Sequence, residues 1–368
     1  MSRLDIIGVS KYYGNIAAVD NVSFYVDDKE YICVIGPSGC GKSTLIKCIA
    51  GIIEADQGDI LIDNQSVREV PIEDRNIGFV FQDIALFPQM TVRDNVSYGL
   101  AVRGAGSERI ARVTNEMLHL ISMRERSRSL PNELSGGAQQ KVAVARAIAT
   151  GSFLFLLDEP LGALDALVRV ELRYELKQLA RDLGLTVIHV THDQEEALSI
   201  ADRVIIMKRG KIVEIGSPAE VYLSPKSLFT ENFVGETNLL EGKVLRIEGD
   251  FCTVGIGSRA IRTLASGKQP DERVVVSVRP EFVFLKEASS NDRNGWKGKI
   301  KQVTFLGSLN RYLVETEEGI ELVAHVATTS ELDGEFHVGD RVGLVSEGKH
   351  MLLFDYPKEG LEKEIALE

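Results

Sequence analysis

Residues 36–43 combine glycines with a lysine and a serine at a spacing that suits phosphate binding. The run reads GPSGCGKS and fits the pattern G-x-x-x-x-G-K-[S/T]. The apolar stretch 31–35 before it predicts a buried strand, and Leu45, Ile46 and Ile49 follow at helical spacing. Glycines let the backbone wrap around a polyphosphate, and a helix N-terminus attracts anions. We therefore expect a nucleoside triphosphate to bind at this loop.

Individual positions of the loop have distinct predicted roles. Lys42 is placed to neutralise the β- and γ-phosphates, Ser43 to ligate Mg²⁺, and Thr44 to bring a hydroxyl near the α-phosphate. The loop positions expected to surround the phosphates with their backbone are Gly36, Ser38, Gly39, Cys40 and Gly41. The alternative is a chance glycine-rich turn, which the preceding strand and the following helix disfavour.

Two acidic residues follow a second apolar stretch. Residues 153–157 predict a buried strand, and Asp158 and Glu159 come directly after it. In open α/β sheets, ligands bind at the carboxyl ends of the strands. We expect Asp158 to hold Mg²⁺ through water and Glu159 to orient or deprotonate the attacking water. The alternative is that the two acids only face solvent.

The run LSGGAQQK at 134–141 resembles the signature motif of ABC-transporter ATPases. The other motifs of that family follow in order along the chain: Tyr13 in KYYG, Gln82 in VFQD, the pair Asp158 and Glu159, Asp165 in LGALD, and His192 in THD. The resemblance implies an α/β phosphate-loop ATPase domain with a helical signature subdomain at roughly 84–150. It implies ATP and Mg²⁺ as cofactors, with Tyr13 stacking on adenine.

The resemblance also implies that two cassettes pair head to tail. ATP would then lie between one phosphate loop and the partner's Ser135, Gly136 and Gly137. Ser135 occupies an N-cap position, and the glycines let the helix aim its N-terminal amides at the γ-phosphate. His192, before a predicted capping box at 193–196, would contact the γ-phosphate and Glu159.

Taken one at a time, several of these residues could have ordinary structural roles instead. Gln82 would sense Mg²⁺ and the attacking water, but alone it is a polar loop residue. His192 alone is a solvated loop histidine, and Asp165 alone is a helix N-cap. Tyr13 alone is a packing residue. The ordered set of motifs favours the functional reading for all of them.

Two positions depart from the family pattern. Ala138 stands where the family has glutamine, and Lys141 stands where it has arginine. Loss of the glutamine amide removes one hydrogen bond to the partner-bound nucleotide, a contribution of about 0.5–1.5 kcal/mol. We expect activity with a weaker contact across the pair.

At 368 residues the chain is long enough for two domains. Strand-like and helix-like runs alternate over 1–235, which predicts a parallel sheet covered on both faces. A third buried strand is predicted at 186–190, and a helix is predicted to begin at Ser217 with a capping box closed by Glu220.

Short alternating runs dominate 236–368 and predict an all-β domain, a small barrel or a pair of barrels. This tail resembles the regulatory, OB-like TOBE domain of importer ATPases for sugars, polyamines, iron and oxyanions. Arg279 in it is expected to pair with an acid at the end of a strand rather than with a ligand.

Composition and hydropathy bear on location and partners. Apolar runs fall far short of the ~20 residues that cross a bilayer, and we find no signal-peptide core. We expect a peripheral protein at the cytoplasmic face of the membrane. Residues 82–96 resemble the surface where a permease's coupling helix docks, although Leu86 and Phe87 equally suit local packing. An extracellular solute-binding protein would be an indirect partner.

Two other classes of protein compete with an importer ATPase. One is a soluble ABC ATPase of DNA repair or translation, which the formal charge of −12 and the lack of coiled-coil insertions disfavour. The other is an oxyanion sensor without turnover, which Glu159 and His192 disfavour. The transported solute is left open among polyamine, sugar, iron and oxyanion.

Overall fold

The computed structural model describes residues 3–162, 164–287, 294–328 and 336–367. It divides into two compact units, one reaching to Leu223 and the other running from Ser224 to Ala366. The sequence places the change of character near residue 235, whereas the structural division falls earlier. The helix Leu228–Phe233 accounts for the difference, because its Leu228 packs with Val275 and Phe354 of the second unit.

The first unit alternates strands and helices. The strands are β1 (Leu4–Tyr13), β2 (Ile16–Val26), β3 (Tyr31–Ile35), β4 (Gln57–Ile62), β5 (Gln65–Ser66), β6 (Ile77–Val80), β7 (Leu154–Asp158), β8 (Thr186–Val190), β9 (Arg203–Lys208) and β10 (Lys211–Gly216). The helices are α1 (Lys42–Ala50), α2 (Val92–Val102), α3 (Ser107–Leu120), α4 (Gly136–Ala149), α5 (Ala166–Leu183), α6 (Gln194–Ile200) and α7 (Pro218–Leu223).

A six-stranded sheet in the order β10-β9-β3-β8-β7-β6 forms the centre of this unit. Its strands from β9 to β6 are parallel, and β10 pairs antiparallel with β9. Every residue of β3, β7 and β8 is buried, as expected for a parallel sheet covered on both faces. The predicted buried strands are thus present, with β7 shifted by one residue so that it includes Asp158.

A second sheet and a helical layer complete the unit. The sheet β2-β1-β4-β5 is antiparallel and packs its apolar side chains into the same core as α1. Helices α2, α3 and α4 surround a separate apolar cluster that includes Val96, Leu118 and Val142. Among the described helices, none has the length and apolar character needed to cross a membrane.

The second unit consists almost entirely of strands. Its elements are α8 (Leu228–Phe233), β11 (Asn238–Glu248), β12 (Phe251–Ile256), β13 (Arg259–Leu264), β14 (Arg273–Val278), β15 (Phe284–Glu287), β16 (Gly295–Phe305), β17 (Leu309–Thr316), β18 (Glu321–Ala327), β19 (Arg341–Val345), β20 (Met351–Asp355) and α9 (Leu361–Ile365). They form two five-stranded antiparallel sheets in the orders β13-β12-β11-β14-β20 and β15-β19-β16-β17-β18.

One apolar core is shared by the two sheets of this unit. It contains Trp296, the only tryptophan of the chain, whose side chain is 1% exposed. Arg279 pairs with Glu231 at 3.1 Å, and both side chains are buried. Arg279 therefore pairs with an acid as expected, although that acid lies on α8 rather than at the end of a strand.

Candidate active site

The glycine-rich loop connects β3 to α1 and has little room for larger residues. At Gly41 φ is +106°, and a Cβ placed there would lie 2.0 Å from the carbonyl oxygen of Ala18. The Nζ of Lys42 donates to the carbonyl oxygens of Gly36 at 2.7 Å and Pro37 at 2.9 Å. The loop is thus a tight backbone cradle with the lysine ammonium held against it, which fits the predicted phosphate site.

Asp158 at the end of β7 reaches the first turn of α1. Ser43 donates its hydroxyl to Oδ1 of Asp158 at 2.8 Å, and the Nζ of Lys47 lies 3.9 Å from Oδ2. Burial raises the pKa of Asp158, while Ser43 and Lys47 partly offset this effect. A hydroxyl and a carboxylate oxygen in contact are ligands that suit Mg²⁺.

Glu159 lies between two polar side chains from neighbouring elements. Its Oε2 is 3.1 Å from Nδ1 of His192, and Gln82 donates its Nε2–H to the same oxygen at 3.4 Å. The backbone of Glu159 has φ of +46°, and its N–H donates to the carbonyl oxygen of Val190 at 2.9 Å. This left-handed conformation is uncommon outside glycine and is frequent at functional sites.

These groups border one cleft with a volume of about 600 Å³. The residues that line it are Ala18, Ser38, Gly39, Gly41, Lys42, Ser43, Thr44, Gln82, Glu159 and His192. Gly36 and Cys40 of the loop and Asp158 at the end of β7 are not among these lining residues, but Asp158 contacts the lining residue Ser43. The structure therefore gathers the predicted loop residues and the predicted acid, amide and imidazole groups at the carboxyl ends of β3, β6, β7 and β8.

The remaining predicted site residues lie outside this cleft. Tyr13 ends β1, where its side chain is 49% exposed and the Lys11 ammonium lies 5.9 Å from its ring centroid. Asp165 caps α5 by accepting from the N–H of Val168 at 3.1 Å. The contact seen at Asp165 is that of a helix N-cap, and the half-exposed ring of Tyr13 remains a prediction for adenine stacking.

The signature residues form the start of α4. Ser135 is its N-cap and accepts from the N–H of Ala138 at 3.4 Å, as predicted. Gly136 and Gly137 form the first turn, where a Cβ on Gly137 would lie 2.7 Å from Val168. Lys141, the second departure from the family pattern, pairs with Glu175 of α5 at 2.7 Å.

The segment 82–96 contributes both packing and exposed surface. Leu86 packs against the apolar cluster of α2, α3 and α4. The ring of Phe87 lies 4.4 Å from that of Tyr98, with the Arg146 guanidinium 5.4 Å from the Phe87 centroid. Local packing thus accounts for both residues, and Phe81 just before the segment is 42% exposed.

Sequence reasoning missed two residues of the site. Ala18 lines the cleft from β2, and no local sequence signal marks an alanine for that position. Lys47 approaches Asp158 from the turn of α1 after Ser43. Its spacing of four residues from Ser43 places both on one helix face, so helical periodicity could have found it.

Two family models match the chain. Residues 19–162 match the family described as ABC transporter, and residues 276–354 match the TOBE domain. Two relatives are both called spermidine/putrescine import ATP-binding protein PotA. The one from Thermotoga maritima is 39% identical over 86% of this chain and 88% of its own. The one from Vibrio cholerae is 38% identical over 92% of this chain and 90% of its own.

Solved structures resemble part of the chain. A bacterial ABC transporter cassette described as dimeric has 33% sequence identity and a TM-score of 0.53, covering 58% of this chain and 98% of its own. A post-hydrolysis state of that cassette, bound to ADP and Pi, matches with the same identity, coverage and TM-score.

The fold and the cleft define a phosphate-loop ATPase with a helical signature layer and an all-β companion domain. The relatives make the assignment more specific: the chain belongs to the ABC transporter ATP-binding family, in the branch that carries a TOBE domain. The predicted fold class and the predicted ATP-hydrolysing importer subunit are thereby confirmed. The alternative of a DNA-repair or translation ATPase finds no support among these relatives.

Proposed function

We propose that this chain hydrolyses ATP with Mg²⁺ in the cleft at residues 36–44 and uses that reaction to drive polyamine import. The observation that carries the hydrolytic part is the convergence of the Ser43–Asp158 contact with Gln82, Glu159 and His192 on one cleft. The cleft would thus offer a phosphate cradle, a metal-binding edge and a base in reach of one another.

The residues present fit both ATP and Mg²⁺. The close approach of Gly41 to Ala18 leaves no room for a side chain, so backbone N–H groups can approach phosphate oxygens closely. Ser43 and Asp158 would hold Mg²⁺, with Gln82 as a further oxygen ligand. When bound, the ion would neutralise charge on the phosphates and orient them. Tyr13 would stack on adenine.

Glu159 and His192 supply the proton chemistry. The Glu159 carboxylate would accept a proton from the attacking water as general base. His192, in contact with the same carboxylate oxygen, would hold Glu159 in place and contact the γ-phosphate. Gln82 approaches that oxygen from the other side and would orient the water.

Replacing Glu159 by glutamine tests this assignment. Glu159→Gln removes the base and keeps the size of the side chain, so we expect ATP affinity to persist while turnover falls by about 10²–10⁴-fold. ATP binding and phosphate release are measured on the same preparations. Glu116→Gln on the exposed face of α3 is the matched control and should keep wild-type turnover. Near-normal hydrolysis by Glu159→Gln would refute the role of Glu159.

We further propose that the active form is a head-to-tail pair of these chains. Ser135, Gly136 and Gly137 lie outside the cleft of their own chain and begin a helix whose N-terminus suits an anion. They would complete the site of the second copy, with Asp165 nearby. Glu159→Gln should then form an ATP-dependent dimer in size-exclusion chromatography, and a strictly monomeric ATP complex would contradict the pairing.

The choice of polyamines as cargo rests on the relatives, whose names specify spermidine and putrescine import. Deleting this gene should abolish uptake of labelled spermidine or putrescine. The wild-type gene should restore that uptake, and the Glu159→Gln gene should not. If the deletion abolished uptake of a sugar, iron or an oxyanion and left polyamine uptake intact, that solute would be the cargo instead.

The remaining partners follow from this role. A membrane permease would dock on residues 82–96, where Phe81 at the edge of the segment is exposed, and an extracellular solute-binding protein would deliver the polyamine. The chain would accordingly work at the cytoplasmic face of the membrane. Purification of the tagged chain from membranes should recover a permease, and recovery of the chain without any integral membrane protein would contradict the docking.

A further inference from the structure

The contact between Glu159 and His192 joins two loops that follow neighbouring strands. Glu159 directly follows β7, and His192 lies in the loop between β8 and α6. Nδ1 of His192 is 3.1 Å from Oε2 of Glu159. The His192 side chain is 55% exposed, so little packing fixes its orientation. Its position therefore depends on what holds the backbone of its loop.

Asp193 directly follows His192, and both of its carboxylate oxygens have partners. Oδ1 accepts from the N–H of Glu196 at 2.9 Å, so Asp193 caps α6. Oδ2 lies 3.5 Å from Nη1 of Arg169 and 3.4 Å from Nη2 of Arg173, and both arginines belong to α5. The loop that carries His192 is thus fixed to two helices through one side chain.

The two arginines differ in their second contact. Arg173 donates from Nη1 to the hydroxyl of Ser199 in α6 at 3.4 Å. Arg169 instead donates from Nη2 to the carbonyl oxygen of Leu164 at 3.1 Å. Leu164 lies in the segment that connects β7 to α5. The guanidinium of Arg169 therefore spans the segment after β7 and the loop after β8, which are the two that carry the catalytic pair.

Backbone hydrogen bonds connect Leu164 to Glu159. The N–H of Gly162 donates to the carbonyl oxygen of Glu159 at 3.2 Å, and the N–H of Leu164 donates to that of Leu161 at 3.2 Å. The side chains of Leu161 and Leu164 are buried as well. A contact that holds the carbonyl of Leu164 consequently bears on the position of Glu159.

We propose that Arg169 is a positioning residue for ATP hydrolysis, which keeps the loop of His192 in register with Glu159. The inference rests on the roles proposed above for Glu159 and His192. The alternative is that Arg169 only helps to pack α5 against α6. An ion pair whose side chains are 26% and 20% exposed contributes little to stability. A displacement of about 1 Å at a reacting group, in contrast, can reduce turnover 10²-fold.

Arg169→Gln in the full chain tests this proposal. We expect kcat to fall at least about tenfold, while the Kd of ATP changes by less than about twofold and Tm by less than about 2 °C. Arg181→Gln removes the same charge from the exposed last turn of α5 and should keep wild-type kcat. Wild-type kcat in Arg169→Gln, or a loss of ATP affinity as large as the loss of kcat, would overturn the proposal.

A double-mutant cycle separates positioning of His192 from a general loss of packing. His192→Ala should lower the hydrolysis rate by about 10²–10³-fold, which single-turnover assays with radiolabelled ATP can measure. Because Arg169 acts through His192, adding Arg169→Gln to His192→Ala should lower the rate by less than about twofold further. A further loss as large as in the wild-type background would overturn the proposal alone. Wild-type turnover by His192→Ala would refute the role of His192 itself, and this inference with it.

Discussion

Asp158, which we propose as a holder of Mg²⁺, has its carboxyl in a buried position that disfavours the charged form. It is 3% exposed at the end of β7, and burial raises its pKa despite the hydroxyl of Ser43 and the ammonium of Lys47. A carboxyl whose pKa is raised by folding stabilises the fold below its unfolded pKa. That contribution is lost as the pH rises through the folded pKa.

The variant Asp158→Asn should therefore be more stable than wild type at pH 7 in the absence of Mg²⁺ and nucleotide. The difference should shrink as the pH falls to about 3, where the carboxyl is mostly protonated in both the folded and the unfolded state. Urea unfolding at the two pH values measures it, with the exposed Asp83→Asn as control. A less stable Asp158→Asn at pH 7 would contradict the burial argument, and its ATP turnover should be lost in either case.

Glu196 in α6 shows the opposite balance between burial and polar contacts. Burial opposes its ionisation, but contacts with His189 and Thr191 outweigh burial and lower its pKa. Thr191 donates to its Oε2 at 2.7 Å, and Nε2 of His189 lies 3.2 Å from its Oε1. This buried network anchors the residues on both sides of His192 and holds the loop that carries it.

At the scale of the element, the glycine-rich loop depends on the absence of a side chain at Gly41. Gly41 and Gly151 both have positive φ, at +106° and +82°. A Cβ on Gly41 would lie 2.0 Å from the carbonyl oxygen of Ala18, whereas a Cβ on Gly151 would have open space. Alanine at Gly151 would therefore introduce backbone strain alone, whereas alanine at Gly41 would add a steric clash with Ala18.

Gly151→Ala should cost about 1–2 kcal/mol, the strain of a left-handed alanine, and keep nucleotide affinity. Gly41→Ala should cost more and weaken ATP binding at least tenfold, because β2 and the loop must move apart. Thermal unfolding and nucleotide titration of both variants measure this difference. Equal effects in the two variants would show that the contact with Ala18 is unimportant.

Short sequence patterns predicted the strands that are continuous apolar runs and the helix starts that depend on neighbouring capping residues. The apolar runs gave β3 and β8 with their observed bounds, and the predicted capping box at Ser217 is present, with Glu220 accepting from the Ser217 N–H at 2.7 Å. In the predicted box at Asp193 only half is present. Asp193 accepts from the Glu196 N–H at 2.9 Å, but the Glu196 side chain turns into the core to Thr191.

The sheet β2-β1-β4-β5 escaped prediction for a different reason. The pairing of β1 with β2 shifts register at several points between Ile6 and Tyr12, which interrupts the alternation that marks a strand. Ala18 enters the cleft through this sheet, so its role depends on long-range pairing that no short motif encodes. The strand-end acids Asp158 and Glu159 were predictable because their position follows from one buried run.

At the scale of the molecule, both units have cores of their own, and only the second contains tryptophan. Trp296 is 1% exposed between the two β-sheets of that unit. Ligands stabilise the part of a protein that they bind, by about 2.7 kcal/mol at one hundred times Kd. Saturating ATP should therefore raise the unfolding midpoint of the first unit. Far-UV circular dichroism at helix-sensitive wavelengths measures that midpoint.

The burial of Trp296 gives the chain a natural optical label. Its emission comes from the TOBE unit alone, so a red shift on heating reports the opening of that core without any added dye. A red-shift midpoint that ATP leaves unchanged would mean that the two units melt independently. If the red-shift midpoint rises together with the dichroism midpoint, ATP binding stabilises the β domain as well. The wild-type chain is sufficient for this measurement.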